Sequence, residues 1–268
     1  MIKLLATDLD GTLFSKSNIK EIIEEENIIL LRHFHNMGGN VAVVSGRGSL
    51  YCKWVSKKLG FECYDLSLNG AYNGLNKTAK TIPNKSVLSI LEKLKEYNKP
   101  YTFLLSSLDG IMYALKNRFF MYAYKYLKQR NKKYVNRISK TIFSNKKIRQ
   151  IIKNNQVCKV LIYFKNKDDH HNFYSHIQEY ESVLSLYYYG DSYEINAKEC
   201  GKGLALEELV KQLKLKKDEV FVIGDGKNDI SMLEKFNHSA TFTYANEQVK
   251  KSAKIIIEKF KDIENYLY

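Results

Sequence analysis

The four cysteines in 268 residues, Cys52, Cys63, Cys158 and Cys200, are scattered without a CxxC pair. That argues against a zinc knuckle, a dithiol redox motif or a disulfide framework, and leaves small neutral thiols in a reducing cytoplasm as the expectation. No apolar run approaches the roughly 20 residues of a membrane span. Nor does a secretory segment open the chain, because Asp8 and Asp10 interrupt the first apolar run almost at once. A soluble, cytoplasmic protein with no membrane partner is therefore expected. Acidic residues are also in short supply. The 29 Asp and Glu face 43 Lys and Arg, a formal charge of +14, which suits anionic partners or reflects a Lys-, Asn- and Tyr-rich coding bias. There is no long linker and no clear internal repeat, and the length allows one large domain or two modest ones.

What is present begins at the N-terminus. The stretch Ile2-Lys3-Leu4-Leu5-Ala6-Thr7 suits a buried central strand, and it ends in Asp8-Leu9-Asp10-Gly11-Thr12-Leu13. Alternation along a strand starts Asp8 and Asp10 on the same side, and Gly11 lets the backbone turn off the sheet. Two carboxylates so close repel by about 4 kcal/mol at an effective dielectric near 20. A divalent cation with oxygen ligands, or protonation of one carboxyl, would relieve the repulsion. An ordinary Asx turn also accounts for Asp10-Gly11.

The pattern then repeats. Apolar spacing predicts an amphipathic helix over residues 18–37, and a buried strand over 41–44 ends in Ser45-Gly46-Arg47-Gly48 before a helix through 54–59. A short third strand is expected over 61–64, and Leu68-Asn69-Gly70-Ala71-Tyr72 as a strand and turn. This β-α-β-α rhythm implies a parallel sheet whose ligands gather at the carboxyl ends of the strands. From about residue 82 the texture changes to a helix, a hairpin at Asp109-Gly110, an aromatic helix over 118–127, a Lys-rich stretch over 125–153 and further strands and helices to about 195. Residues 82–190 read as a second α/β unit inserted into the first. It carries about 20 Lys and Arg against about 7 Asp and Glu. The first rhythm returns with Gly201-Lys202-Gly203 before a helix, and a strand over 220–223 that ends in Gly224-Asp225-Gly226-Lys227-Asn228-Asp229.

Taken together, Asp8-Leu9-Asp10-Gly11-Thr12, Ser45-Gly46-Arg47, Lys202 before Gly203, and Gly224-Asp225 with Asn228-Asp229 resemble the four ordered motifs of the haloacid dehalogenase-like phosphohydrolases, most closely the Cof-type branch. The Asn69-Gly70-Ala71 turn and residues 245–250 are similar to that branch too; Lys254 to Lys259 departs from its usual acidic-glycine signature. The resemblance implies a Rossmann-like doubly wound parallel core over 1–81 and 191–268, with an α/β cap domain inserted at 82–190. It further implies a Mg²⁺-dependent phosphatase of small phosphorylated metabolites such as sugar phosphates. Asp8 would be the nucleophile, and Asp10 the acid and base on the leaving oxygen and water. Asp8, the backbone carbonyl of Asp10 and Asp225 would hold the metal. Lys202, Ser45, Asn228 and the amides of Leu9 and Gly46 would bind phosphate, while Asp229 would orient Lys202 or the metal's waters.

Duller roles compete for individual residues. Thr12 and Ser45 could be helix caps, Asp225-Gly226 a loop, and Lys202 a solvated side chain. Arg47 could touch phosphate or brace its loop, and is left off the catalytic set. His33, His35, His170 and His171 lack metal-ligand partners and read as surface or helix-face residues; Trp54 and the group Phe119, Phe120, Tyr122, Tyr124 and Tyr126 read as packing. A nucleic-acid partner is not expected, since the basic stretch carries no recognised motif. The alternatives are a phosphotransferase of the phosphomannomutase type, or a nucleic-acid-binding or regulatory protein using the basic insert. Oligomeric state is not legible.

Overall fold

The computed structural model describes residues 1–14, 23–108, 112–115, 139–142, 144–164, 166–189 and 192–268. The chain opens with β1 (Leu4–Thr7), α1 (Glu25–Asn36), β2 (Asn40–Val44), α2 (Ser49–Leu59), β3 (Tyr64–Ser67) and the two short strands β4 (Tyr72–Asn73) and β5 (Thr78–Ala79). Every residue of β1 is buried, as a central strand covered on both faces requires. Helix α1 starts later than its apolar spacing suggests, because Glu24 is extended and Ile23 bridges Phe14; residues 18–22 lie outside the described residues. The third strand also lies later than expected. Phe61 is drawn off to stack on His35 at 4.0 Å, whereas Asp65 is accommodated in β3 by hydrogen bonds from the Ser49 and Ser67 hydroxyls.

A second unit follows with α3 (Asn84–Tyr97), β6 (Tyr101–Ser107), β7 (Met112–Leu115), β8 (Ser139–Ile142), α4 (Asn145–Asn154), β9 (Val157–Phe164), α5 (Lys167–Ile177), β10 (Leu184–Tyr189) and β11 (Ser192–Ala197). Its sheet runs β10-β11-β9-β6-β7-β8 and is antiparallel except where β7 meets β8. Helix α3 places Val87, Ile90, Leu91 and Leu94 at helical spacing along one stripe. They pack with Phe103, Leu105, Val160, Ile162 and Ile195 of the strands in a single core. The Asp109-Gly110 turn, the aromatic helix expected over 118–127 with its Phe119, Phe120, Tyr122, Tyr124 and Tyr126, and the Lys-rich stretch as far as 138 lie outside the described residues.

The first sheet then resumes with α6 (Lys202–Gln212), β12 (Val220–Ile223), α7 (Ile230–Leu233), β13 (His238–Phe242), α8 (Glu247–Ser252) and β14 (Ile255–Ile257). Strand order is β14-β13-β12-β1-β2-β3-β4-β5, parallel from β14 through β3 and antiparallel between β3 and β4. Successive strands run outward from β1 to β3 on one side and from β12 to β14 on the other. The winding reverses between β1 and β12, which makes the fold a Rossmann-like doubly wound α/β sheet, and the crevice at such a reversal is where ligands bind. On one face Leu4, Ala6, Val220 and Val222 pack with Leu206 and Leu209 of α6 and with Met232 and Leu233 of α7. The departing C-terminal segment still forms β14, through Ile255-Ile256-Ile257 beside β13.

By contacts the chain divides into Met1–Thr78 with Gly201–Tyr268, and Ala79–Cys200. The insert therefore runs beyond the expected 82–190. The reason is register: Ser192 to Asn196 pair with β9, and β10 pairs with β11 along its length, so β11 belongs to the second sheet. An alternating strand pattern carries no sign of which sheet will accept it.

Candidate active site

The site is built where the central strands stop. At the end of β1 the Asp8 N–H donates to the Ile223 carbonyl at 3.0 Å, which carries the ladder with β12 one residue further. The chain then curls back, with Thr12 and Phe14 donating to the Leu9 carbonyl at 3.2 and 2.8 Å. Gly11 makes this turn with φ +81°, and a Cβ there would lie 2.4 Å from Asp225 Oδ2. Glycine is thus required twice, by the left-handed backbone and by the approach of the β12 loop. Thr12 is no mere cap, since its hydroxyl donates to Asp225 Oδ1 at 3.1 Å.

Lys202 opens α6 and is wholly buried. Its Nζ donates to Asp8 Oδ1 at 2.6 Å and to Asp229 Oδ1 at 2.5 Å, so the solvated-side-chain alternative is overturned. Asp229, also fully buried, accepts from the Gly226 N–H at 2.8 Å through its second oxygen. Asp229 therefore holds Lys202 and its own loop. Burial lowers the proton affinity of Lys202, but Asp229 and Asp8 outweigh it and raise the ammonium above its ordinary value. Burial raises Asp8 well above the usual carboxylate range; Lys202 works against this, whereas Asp229, Asp225 and Asp10 add to it.

Asp8, Asp225 and Asp229 each bring an oxygen within 4.8 Å of the others, the one such cluster of possible metal ligands among the described residues. At that spacing each carboxylate pair repels by about 3 kcal/mol at an effective dielectric near 20. Three carboxylates against one ammonium leave the cluster short of two positive charges. The donors are hard oxygens, which suit a divalent cation such as Mg²⁺. The residues present fit such an ion, with Asp229 already committed to Lys202 and Gly226.

The Asp10 carboxylate lies apart from this cluster. It faces Arg47, whose Nε donates to Oδ2 at 2.5 Å while a second guanidinium N–H donates to Oδ1. Ser45, at the end of β2, accepts from the Arg47 N–H at 3.1 Å through its hydroxyl oxygen. The Ser45 carbonyl accepts from the Asn69 N–H at 2.9 Å, and Asn69 Oδ1 accepts from Asn228 Nδ2 at 3.0 Å. A single chain of hydrogen bonds thus joins the ends of β2, β3 and β12. Leu9 is buried and Gly46 half-buried beside these groups.

Three further residues stand at the site with contacts that the sequence does not convey. Arg47 reads in the sequence as either a phosphate ligand or a brace for its loop; Asn69 reads only as part of a turn, although Asn before Gly favours the left-handed backbone it adopts at φ 59°; Tyr244 belongs to none of the motifs. Tyr244 stacks on Phe242 with ring centroids 4.8 Å apart, and its hydroxyl donates to the Gly11 carbonyl. Burial, then Asp225 and Asp8, push its phenol up. The histidines take no part. His35 stacks on Phe61, while His170, wholly buried rather than on a surface, lies 4.3 Å from the Tyr188 ring and 4.2 Å from Tyr193.

Comparison with known proteins places this geometry. Residues 5–264 match the model of a family described as haloacid dehalogenase-like hydrolase. Phosphatase YwpJ of Bacillus subtilis (strain 168) is 27% identical over an alignment of 278 positions, gaps included, that covers 94% of this chain and 93% of that protein. Among solved structures, a haloacid dehalogenase-like hydrolase from B. subtilis superposes with a TM-score of 0.81 at 23% identity over 100% of both chains. The HAD subclass IIB sugar phosphatase BT4131 superposes with a TM-score of 0.76 at 18% identity, covering 99% of this chain and 97% of its own. Both structural likenesses are likenesses of fold.

Proposed function

The chain belongs to the haloacid dehalogenase-like hydrolase family and is a phosphatase; on that premise we propose that it hydrolyses phosphate monoesters of small metabolites through an aspartyl phosphate on Asp8. The observation that carries this reading is Lys202, a buried ammonium gripped by Asp8 and Asp229 at the point where the sheet reverses its winding. Lys202 holds one oxygen of Asp8 and sets the direction of the other, so that attack in line on phosphorus is pre-oriented. As the new Asp8 O–P bond forms, the ester O–P bond breaks and Asp10 gives its proton to the departing oxygen. Asp10 then takes a proton from water, which attacks phosphorus, releases inorganic phosphate and restores Asp8. The Ser45 hydroxyl, the Asn228 amide and the N–H groups of Leu9 and Gly46 are the donors proposed for the equatorial oxygens. Thr12 holds Asp225 in place and Asp229 holds Lys202. Asp8, Asp225 and the Asp10 carbonyl would hold Mg²⁺, whose charge, when bound, neutralises the phosphate oxygens facing these carboxylates.

Sugar phosphates are the proposed substrate class, on the likeness in fold to the sugar phosphatase BT4131 and on the basic second unit, which we propose acts as a cap that favours an anionic substrate. The cytoplasm, where phosphorylated metabolites and the four cysteine thiols are both at home, is the proposed place of action. A panel of phosphorylated metabolites and p-nitrophenyl phosphate at fixed Mg²⁺ tests the proposal. Wild type is expected to turn over several members, and Asp8→Asn to lower kcat by about 10³-fold or more. A wild-type protein inactive on the whole panel would sink it.

A further inference from the structure

Asp10 needs more than a place in the sequence to serve as a proton donor. Its side chain is 44% exposed and is followed by Gly11, whose φ of +81° places the pair on a tight turn. A solvent-facing carboxylate on such a turn samples several rotamers, whereas proton transfer in a transition state demands one. The structure supplies a restraint. Both oxygens of Asp10 meet the fork of Arg47, through Nε and a terminal nitrogen. A bidentate pair of this kind fixes the plane of the carboxyl group as well as its position. Each oxygen has a second lone pair, so the clamp leaves room for the proton that Asp10 must carry.

The clamp is itself held. The Arg47 side chain is 7% exposed. Its guanidinium carbon lies 4.3 Å from the centroid of Tyr51 and 5.4 Å from that of Phe14, and Phe14 is braced edge-on by Trp54 at 5.6 Å. The backbone on either side is pinned too: the Arg47 N–H donates to Ser45 Oγ at 3.1 Å, and the Arg47 carbonyl accepts from the Leu68 N–H at 2.8 Å. A planar, delocalised cation can satisfy the aromatic rings and the carboxylate together; a lysine ammonium in its place would keep charge but lose both the fork and the stack.

We propose that Arg47, stacked against Phe14 and Tyr51, is the positioning residue that holds the Asp10 carboxyl in line with the leaving oxygen. The inference rests on the phosphatase reading above. It assigns Arg47 to the proton-transfer half of the site, in contrast to Lys202, which serves the nucleophile.

Leaving-group dependence tests it, because an alkoxide cannot depart without a proton whereas a nitrophenolate can. The esters are glycerol 3-phosphate and 2,4-dinitrophenyl phosphate, assayed with full-length protein at fixed Mg²⁺. In Arg47→Lys, the ratio of kcat on the alkyl ester to kcat on the aryl ester is expected to fall by about 10²-fold, the scale of general acid catalysis. Asp10→Asn is expected to show the same selective loss, and the double variant to lose no more than Asp10→Asn alone, since the two residues act as one unit. Tyr51→Leu, which removes the stack but keeps the fork, should shift the ratio in the same direction by less. Equal losses on both esters would overturn the proposal, pointing to phosphate binding or bracing of the loop, and so would additive losses in the double variant. Where wild type does not turn over glycerol 3-phosphate, the alkyl ester of the panel that it does turn over takes its place; a wild type inactive on every ester of the panel overturns the phosphatase reading and this role with it, and wild-type turnover with equal losses overturns this role alone.

Discussion

Lys202 shows how one side chain can serve two carboxylates. A buried ammonium is costly unless its partners are close and well aligned, and here Asp8 and Asp229 lie at 2.6 and 2.5 Å. Replacing it with Met keeps the length and removes the charge, so two buried carboxylates would face each other without a cation. Lys202→Met is expected to lose about 3–5 kcal/mol of stability, read by urea denaturation, and all measurable turnover. A loss of activity with no change in the denaturation midpoint would show that the pair serves catalysis without supporting the fold.

At the scale of elements, the site depends on how closely α6 approaches α7. A Cβ on Gly203 would lie 2.2 Å from the Ser231 carbonyl oxygen, and the Gly203 N–H donates to Ser231 Oγ at 3.1 Å. Backbone atoms of two helices cannot yield as a flexible side chain would. Gly203→Ala must therefore push the first turn of α6, and Lys202 with it, away from the strand ends. The expected cost is about 1–3 kcal/mol, as for other overpacked sites, together with a fall in kcat from the displaced Nζ. Thermal unfolding and kinetics on the same sample check both. The glycine was visible in the sequence only as a neighbour of Lys202; its reason is a contact with a helix nearly 30 residues further on.

At the scale of the whole molecule, charge is distributed against its average. The chain carries +14, yet the strand ends gather Asp8, Asp225 and Asp229 around one lysine. Burial and the neighbouring carboxylates raise Asp8 in the folded state, so the folded protein binds that proton more tightly than the unfolded chain does. Its contribution to stability is therefore full below the ordinary carboxylate range and lost as pH rises through the raised value. Metal-free protein in EDTA is expected to lose thermal stability on that rise, and Mg²⁺ to restore it by binding the folded state. Asp225→Asn removes one repelling charge. It should raise the metal-free midpoint at pH 7.5 and shrink the Mg²⁺-induced shift. A Mg²⁺ shift that is the same in wild type and Asp225→Asn would remove Asp225 from the metal site.

Local chemistry by itself determined a good deal about this protein. Apolar runs that stop at acids and hydroxyls mark β1, β2 and β12 and their functional ends, because burial demands the first and a polar rim the second. The helical stripe of α3 is equally plain, since a period of 3.6 is written in neighbouring residues. Tertiary structure decided the rest. Whether β11 joins the first sheet or the second depends on which backbone edge accepts its hydrogen bonds, and the strand carries no local record of that choice. Arg47 reads as either a phosphate ligand or a brace until Phe14, Tyr51 and Asp10 are brought around it, and Tyr244 belongs to no motif until its hydroxyl meets Gly11. Residues that act through their own chemistry leave a mark in the sequence; residues that act by holding another are defined by a partner that only the folded chain brings within reach.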